Sequence, residues 1–509
     1  MSNKSKNVDL GVGGIFEPIF ELVHIVVFKS IEILTNGIVW TMNNYLSFEG
    51  KDMGEIKSIE RKDLKCTKSA DRDDEIGYSV TQKRIMKCSE IQREKHTVIV
   101  GASGFGKSAL MDDLIFDDLE NNKPVIMIDP KGDHGSLTQF LNLCRIAGRE
   151  VAVFSEHYTG MGACNLNPAK MGSATNITDR IHASFTWSEP HYEEICYDAL
   201  FDSVDYLLNN KITVSFESIL SRLLIISDKA IEDEFKFKRD DISGIISRLT
   251  KVIKSDFGKR LTDSGFSMHD IWTGKKCLYV GLPVLGYPKI AKSLGKLILG
   301  DLAHAVYHEY KSNSVKKKYQ PVGIYIDELS AVITDEFIDI LNKCRGAKME
   351  LTFAFQSVAD ITKVSPELLE QLLENSSTWF ILKQRMEIGA KVFAESIGTI
   401  ATKKHTNRVK DGQTQDMGSE RIVEAMVAHN NIIKNLNVGQ CILLRHAPTR
   451  VDLLNIKYIN PEIVNKNVQF MIDYELRPET IPSYMDINKE SNEQIQEEKK
   501  VLFNISEAK

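Results

Sequence analysis

Residues 98–108 read Val-Ile-Val-Gly-Ala-Ser-Gly-Phe-Gly-Lys-Ser, a run of apolar β-formers that passes without a break into a glycine loop. Gly101, Gly106, Lys107 and Ser108 fill the pattern G-x-x-x-x-G-K-S, and each position has a mechanical reason. Glycines let backbone N–H groups curl around an anion, the lysine supplies a point charge for the outer phosphates, and the serine hydroxyl is placed to ligate magnesium. Ala109-Leu-Met-Asp-Asp-Leu-Ile115 then starts a helix whose amino end faces the same phosphates. A strand in front and a helix behind commit this region to an α/β sheet that binds a nucleoside triphosphate.

The rest of the chain extends that rhythm. From about residue 95, short apolar runs alternate with helical patterns, as in a sheet covered by helices. Strands are expected at Val98–Val100, Val125–Ile128, Val151–Phe154, Leu278–Leu282, Gly323–Ile326, Leu351–Phe355, Trp379–Leu382 and Cys441–Leu444. Their apolarity is continuous rather than alternating, which is the mark of central strands buried on both faces. Between 173 and 270 the rhythm stops, and segments such as Tyr192–Leu208 and Asp241–Ile253 carry apolar residues at helical spacing. The chain therefore divides into an apolar amphipathic segment (1–49), a linker or first part of the NTPase domain (50–94) and the body of that domain in two parts (95–172 and 271–470). An all-α insertion (173–270) separates those parts, and a charged mobile tail (471–509) follows. Residues 403–416 read as a polar loop.

The second half of the site is Gly323-Ile-Tyr-Ile-Asp-Glu-Leu-Ser330, an apolar strand that ends in paired carboxylates. Asp327 is the candidate for magnesium and Glu328 for polarising the attacking water, because phosphoryl transfer needs mainly positioning and charge stabilisation. One strand later, Gln356 stands at the carboxyl end of an apolar run, the edge where α/β sheets bind ligands. It either senses the outer phosphate or simply begins a loop. Arg345 either reaches a neighbouring subunit's nucleotide or caps the end of its own helix. Val125-Ile-Met-Ile-Asp-Pro-Lys-Gly-Asp133 puts a charged turn on the same sheet edge.

Composition bounds the partners loosely. With 64 basic and 70 acidic residues the net charge is −6, so no global attraction to nucleic acid follows, although a channel lining alone can be basic. Lys316–Lys318 and the stretch from Lys403 to Lys410 are candidate phosphate-backbone contacts, or merely solvated surface. The eight cysteines form no C-x-x-C pair, which favours reduced thiols over disulfides or zinc. No metal site beyond a nucleotide's magnesium is legible. Residues 15–41 are strongly apolar, but Glu17, Glu21, His24, Lys29 and Glu32 interrupt them. No uncharged run reaches the roughly 18 residues of a spanning helix, so an interfacial or partner-docking helix fits better.

Taken together, these segments resemble the coupling-protein ATPases of type IV secretion and conjugation, the TraD-like group. The resemblance rests on Val98–Ser108, the Asp-Pro-Lys-Gly at 129–132 and Asn165-Leu-Asn-Pro168. It continues through Gly172-Ser-Ala-Thr175, Trp187-Ser-Glu-Pro190, Tyr279-Val-Gly-Leu-Pro283, Ile326–Leu329 and Phe355-Gln-Ser357, in order over about residues 90–455. It implies a RecA-like P-loop domain with a mainly parallel sheet and an inserted all-α domain, assembled as a homohexamer around DNA. ATP and Mg2+ would be the cofactors. Gly101, Ser103, Gly104, Phe105, Gly106, Lys107, Ser108 and Ala109 would bind nucleotide, with Ser108 and Asp327 serving the metal. Lys107, Asp327, Glu328, Gln356 and Arg345 would form the catalytic set. The implied partners are single- or double-stranded DNA, a relaxase or relaxosome and the inner-membrane components of the secretion system, at the cytoplasmic face of the bacterial inner membrane. The N-terminus departs from the family pattern, which has two clear transmembrane helices. Two other functions compete: a nucleotide-gated adaptor that presents protein substrates without moving DNA, and a soluble FtsK/HerA-like DNA pump.

Overall fold

The computed structural model describes Lys29 and residues 56–458, apart from 69–75, 88–89, 228–236, 312–320, 334–336, 338–340, 343, 411–412 and 447–448. The expectations for 15–41, 471–509 and Lys316–Lys318 thus fall outside the described residues, Lys29 aside. The fold is that of the unit from Ile56 onward. None of the described helices is long and apolar enough to cross a membrane.

Eleven strands form one sheet: β1 (Gly77–Ser79), β2 (Arg84–Met86), β3 (Thr97–Val100), β4 (Val125–Asp129), β5 (Val151–Phe154), β6 (Cys277–Gly281), β7 (Val322–Ile326), β8 (Met349–Phe355), β9 (Thr378–Ile381), β12 (Gln440–His446) and β13 (Thr449–Ile456). β10 (Thr399–Lys410) and β11 (Gln413–Met426) pair separately. The order in the large sheet is β2-β1-β13-β12-β9-β3-β8-β7-β4-β6-β5. From β9 to β5 all neighbours are parallel, and β12, β13, β1 and β2 extend the sheet in antiparallel fashion. Every residue of β3, β4, β6, β7, β8 and β9 is buried, as strands covered on both faces require.

The pleat sorts side chains into two cores. Val98, Val100, Ile126, Ile128, Ile324 and Ile326 face one layer, and Ile99, Val125, Met127 and Tyr325 face the other. The second layer contains α1 (Lys107–Glu120), through Leu110 and Leu114, and α2 (His134–Ile146), through Leu137, Phe140 and Leu143. The first contains the helices that run between β5 and β6, namely α3 (Ala174–Ala183), α4 (Pro190–Asn209), α5 (Phe216–Ser227), α6 (Ser243–Lys254) and α7 (Met268–Thr273). It also contains α8 (Pro288–Lys311). Beyond β8 come α9 (Val358–Thr362), α10 (Pro366–Glu374), α11 (Glu387–Ile397) and α12 (Asn430–Lys434).

Residues 403–410 and 413–416 are not a loop. They belong to the β10–β11 ribbon, paired from Thr399↔Met426 to Lys410↔Gln413 with a register shift between Asn407 and Val409. A two-stranded ribbon outside the main sheet needs no continuous apolar run, so a search for buried strands passes over it. The available signal was Asp411-Gly412 between Thr- and Val-containing segments, a favoured two-residue hairpin connection.

Candidate nucleotide-binding site

β3 ends at Val100, and the glycine loop carries the chain directly into α1. Gly104 and Gly106 have φ of 81° and 103°, a region that side chains disfavour. Gly101 is required for a different reason: a Cβ there would lie 2.6 Å from the Cβ of Leu382, just past β9. The loop is pinned from that side. Ala102 N–H donates to the Lys383 carbonyl at 2.9 Å, Gly101 N–H to the Phe355 carbonyl at 3.3 Å and Gly439 N–H to the Phe105 carbonyl at 3.2 Å. The Phe105 ring stands 5.0 Å from the Lys383 ammonium. Ser103, Gly104 and Ser108 are exposed, and Ala109 is half-buried in the first turn of α1. Lys107 is buried and its ammonium donates to the Gly101 carbonyl at 2.6 Å. Burial pushes its pKa below the ordinary lysine value, against the pull of Glu328 and Asp327.

The strands beside β3 bring the acidic groups to the same carboxyl edge. Asp327 follows β7 and is 3% exposed. Its Oδ2 accepts from Lys131 Nζ at 2.6 Å, while its buried Oδ1 has no hydrogen-bond partner among the described residues. Glu328 is held at φ 64°, ψ 63°, a left-handed conformation uncommon for a residue with a side chain, which breaks the strand direction at this point. Its two carboxylate oxygens are each spoken for: Oε1 accepts from Ser330 Oγ at 2.9 Å and Oε2 from Gln356 Nε2 at 2.9 Å. Gln356 thus does more than open the next loop; it ties the end of β8 to Glu328.

Lys131 is not among the expected site residues, although its Asp-Pro-Lys-Gly turn is conspicuous in the sequence. Asp129, fully buried at the end of β4, accepts from Tyr279 Oη at 2.6 Å and from the backbone N–H groups of Lys131 and Asp133 at 2.9 and 3.2 Å. Burial raises its carboxyl pKa, and the Tyr279 hydrogen bond works against that rise. Gly132 lets the turn pass Pro283: its φ is 59°, and a Cβ would lie 2.7 Å from the proline ring. The Asp-Pro-Lys-Gly turn is therefore a device for laying one ammonium on Asp327. Burial works against the charge on Lys131, but the Asp327 carboxylate outweighs it and raises the pKa. Asp112, one helical turn after Ser108, has no motif to announce it; burial, then the Asp327 and Asp113 charges, push its pKa up to about 7.

Arg345 is not part of this assembly within one chain. It is exposed, on the single turn Arg345–Ala347 that leads into the amino end of β8. β8 spans seven residues, so at about 3.3 Å per residue Arg345 lies roughly 20 Å from the edge that carries Gln356.

Comparison with known proteins agrees with this fold. Residues 75–275 match the family model described as the central domain of helicase HerA, and residues 321–436 match the one described as the TraM recognition site of TraD and TraG. No curated protein sequence matches the chain significantly. Among solved structures, the unbound bacterial conjugative coupling protein TrwBdeltaN70 is similar with a TM-score of 0.59 at 13% identity, over 80% of this chain and 93% of that one. TrwB in complex with a non-hydrolysable ATP analogue gives 0.57 at 14%, over 80% and 94%. VirB4 of Thermoanaerobacter pseudethanolicus gives 0.51 at 12%, over 76% and 97%. At such identities the likeness is one of fold.

Proposed function

We propose that this chain, whose residues 75–275 and 321–436 match the HerA central-domain and TraD/TraG models, is an ATP-driven coupling protein of a conjugative or type IV secretion system. It receives a DNA–relaxase complex and delivers DNA, with or without protein, to the secretion channel, as a homohexamer at the inner membrane. The observation that carries the reading is the convergence of the glycine loop, Lys107, Asp327 and the Glu328–Gln356 pair at one sheet edge.

The residues present fit magnesium. Asp327 keeps one buried oxygen unpartnered among the described residues, Ser108 offers an exposed hydroxyl at the start of α1, and a set of oxygen donors suits a hard cation. Asp327 and Ser108 would hold the ion, which would neutralise phosphate charge. The chain's own residues do the rest. The loop N–H groups and the amino end of α1 take the phosphates, and Lys107 leaves the Gly101 carbonyl for the outer ones. Glu328, aimed by Ser330 and Gln356, accepts the proton of the attacking water. Because Gln356 holds the same carboxylate, a phosphate drawing on its amide would loosen Glu328, a direct route from nucleotide state to catalytic geometry. Arg345, exposed at the opposite edge, is free to meet a neighbouring subunit.

The test is the steady-state ATPase rate of the full chain with and without single- and double-stranded DNA. The reading expects a severalfold rise with DNA, and no turnover in Lys107→Ala or Glu328→Gln. Turnover in Lys107→Ala would overturn the site. A normal rate indifferent to DNA would favour the protein-substrate adaptor.

A further inference from the structure

His269, His308 and Glu309 meet away from the nucleotide edge, where α7 packs on the last turns of α8. Their ligand-capable atoms all lie within 4.8 Å of one another. His269 Nε2 is 2.9 Å from Glu309 Oε1, with these side chains 16% and 6% exposed, and the His269 and His308 rings are 4.6 Å apart, edge to face. His308 Nδ1 is buried with no hydrogen-bond partner among the described residues. Two imidazoles turned toward one shielded carboxylate, with a ring nitrogen left over, are more than a histidine–glutamate hydrogen bond requires. We propose that His269, His308 and Glu309 form a binding site for a zinc-class divalent transition-metal ion.

The donor set suits it. Imidazole nitrogen and carboxylate oxygen are ligands for zinc and its first-row neighbours. Tetrahedral ligation at about 2.0–2.2 Å puts ligand atoms about 3.3 Å from one another. The present separations, 2.9 Å for one pair and no more than 4.8 Å for the others, close to that value by small side-chain rotations. A water molecule would complete the shell.

The backbone around the site is fixed before any ion arrives. Ser267 and Asp270 cap the start of α7 reciprocally. Met268 N–H donates to Asp301 Oδ2 at 2.8 Å, and Asp301 also pairs with Arg180 of α3 at 3.4 Å. Asp301 lies two turns before His308 on α8, so α7 is already held against α8 at one point and the ion adds a second. Since α7 leads into β6 within a few residues, the bound ion clamps the end of the helical segment to the motor sheet. The site needs no nucleotide and shares no residue with the phosphate-binding edge.

The experiment is metal binding by the full chain, stripped with chelator and titrated with ZnCl2, with CoCl2 as spectroscopic probe. The inference expects one zinc per chain, a rise in Tm on zinc addition, and a cobalt absorption band near 600 nm in the range of tetrahedral sites. His308→Ala removes one ligand and leaves the His269–Glu309 hydrogen bond in place, so it should fold yet lose the zinc, the band and the Tm rise. Glu309→Gln should weaken binding at least tenfold. Lys107→Ala should bind zinc as the wild type does, which separates this site from the nucleotide's. Unchanged zinc stoichiometry in a folded His308→Ala, or no zinc retained by the wild type at micromolar concentration, would overturn it.

Discussion

His96 supplies a stability switch whose size follows from its surroundings. It sits at the start of β3, 2% exposed, and both ring nitrogens are engaged in a way that allows one protonation state. Nε2 lies 3.0 Å from the Leu341 carbonyl, to which it donates, while Nδ1 accepts from the backbone N–H of Leu351 at 3.3 Å. A proton on Nδ1 would set N–H against N–H. Burial first of all, and then the Arg345 charge, lower the pKa to about 4 from the ordinary 6.5, with the Leu341 hydrogen bond opposing. The folded state thus takes up its proton later than the unfolded state as pH falls. Stability is whole above about pH 6.5 and drains away as the pH drops toward 4.

At about 1.4 kcal/mol per unit, the ceiling is about 3 kcal/mol, of which about 2 kcal/mol is lost between pH 7 and pH 5. The perturbation is His96→Gln, which keeps an amide donor for Leu341 but does not titrate. Any constant cost of the substitution cancels, because the quantity read is the change with pH. Urea unfolding of the full chain at pH 7, 6 and 5 should show the wild type losing about 2 kcal/mol more than the variant over that span. Parallel pH profiles for the two proteins would refute the argument. The contact also bears on the role proposed for Arg345, since Leu341 lies four residues before it on the way to β8.

Asp112 has the opposite sign: its folded pKa is raised to about 7, so its contribution is whole below the unfolded value near 4 and is lost as the pH rises toward 7. Asp112→Asn should stabilise the nucleotide-free protein at pH 7.5, by on the order of 2 kcal/mol once partial exposure is discounted, and should not do so at pH 4. Thermal melts at the two pH values decide it, and an equal effect at both would refute it. Arg345→Ala should fold normally and lose at least about a hundredfold in turnover if it completes a neighbour's site. Mixing it with Lys107→Ala subunits should then restore part of the ATPase rate; no recovery would remove Arg345 from the reaction.

What the sequence disclosed, and what it hid, divide along a physical line. The eight anticipated strands are all present, because continuous apolar runs between turns admit few other structures in a chain of this composition. The phosphate loop and the Asp327–Glu328 strand end were legible for a related reason: each packs its chemistry into a few consecutive residues. Strands that lean on partners rather than on their own apolarity escaped. β1 and β2, three residues each, exist only as an antiparallel continuation of β13, and the β10–β11 ribbon pairs with itself outside the main sheet.

Juxtapositions across the chain escaped too, and these are where the site acquires its control. Lys131 meets Asp327 over a separation of 196 residues. Nothing local in Asp129-Pro-Lys-Gly specifies that contact; it follows from β4 and β7 being neighbours in the sheet. Gln356 reaches Glu328 across 28 residues for the same reason, because β7 and β8 are adjacent and both stop at one edge. Sheet order is thus the variable that converts three separately readable motifs into one electrostatic unit. Under the proposed function, an ammonium on Asp327 and an amide on Glu328 hold the two carboxylates assigned to magnesium and to water. On that reading Lys131 and Gln356 must shift before those carboxylates can act, and the turn at 129–133 and the end of β8 are where such a shift is expected.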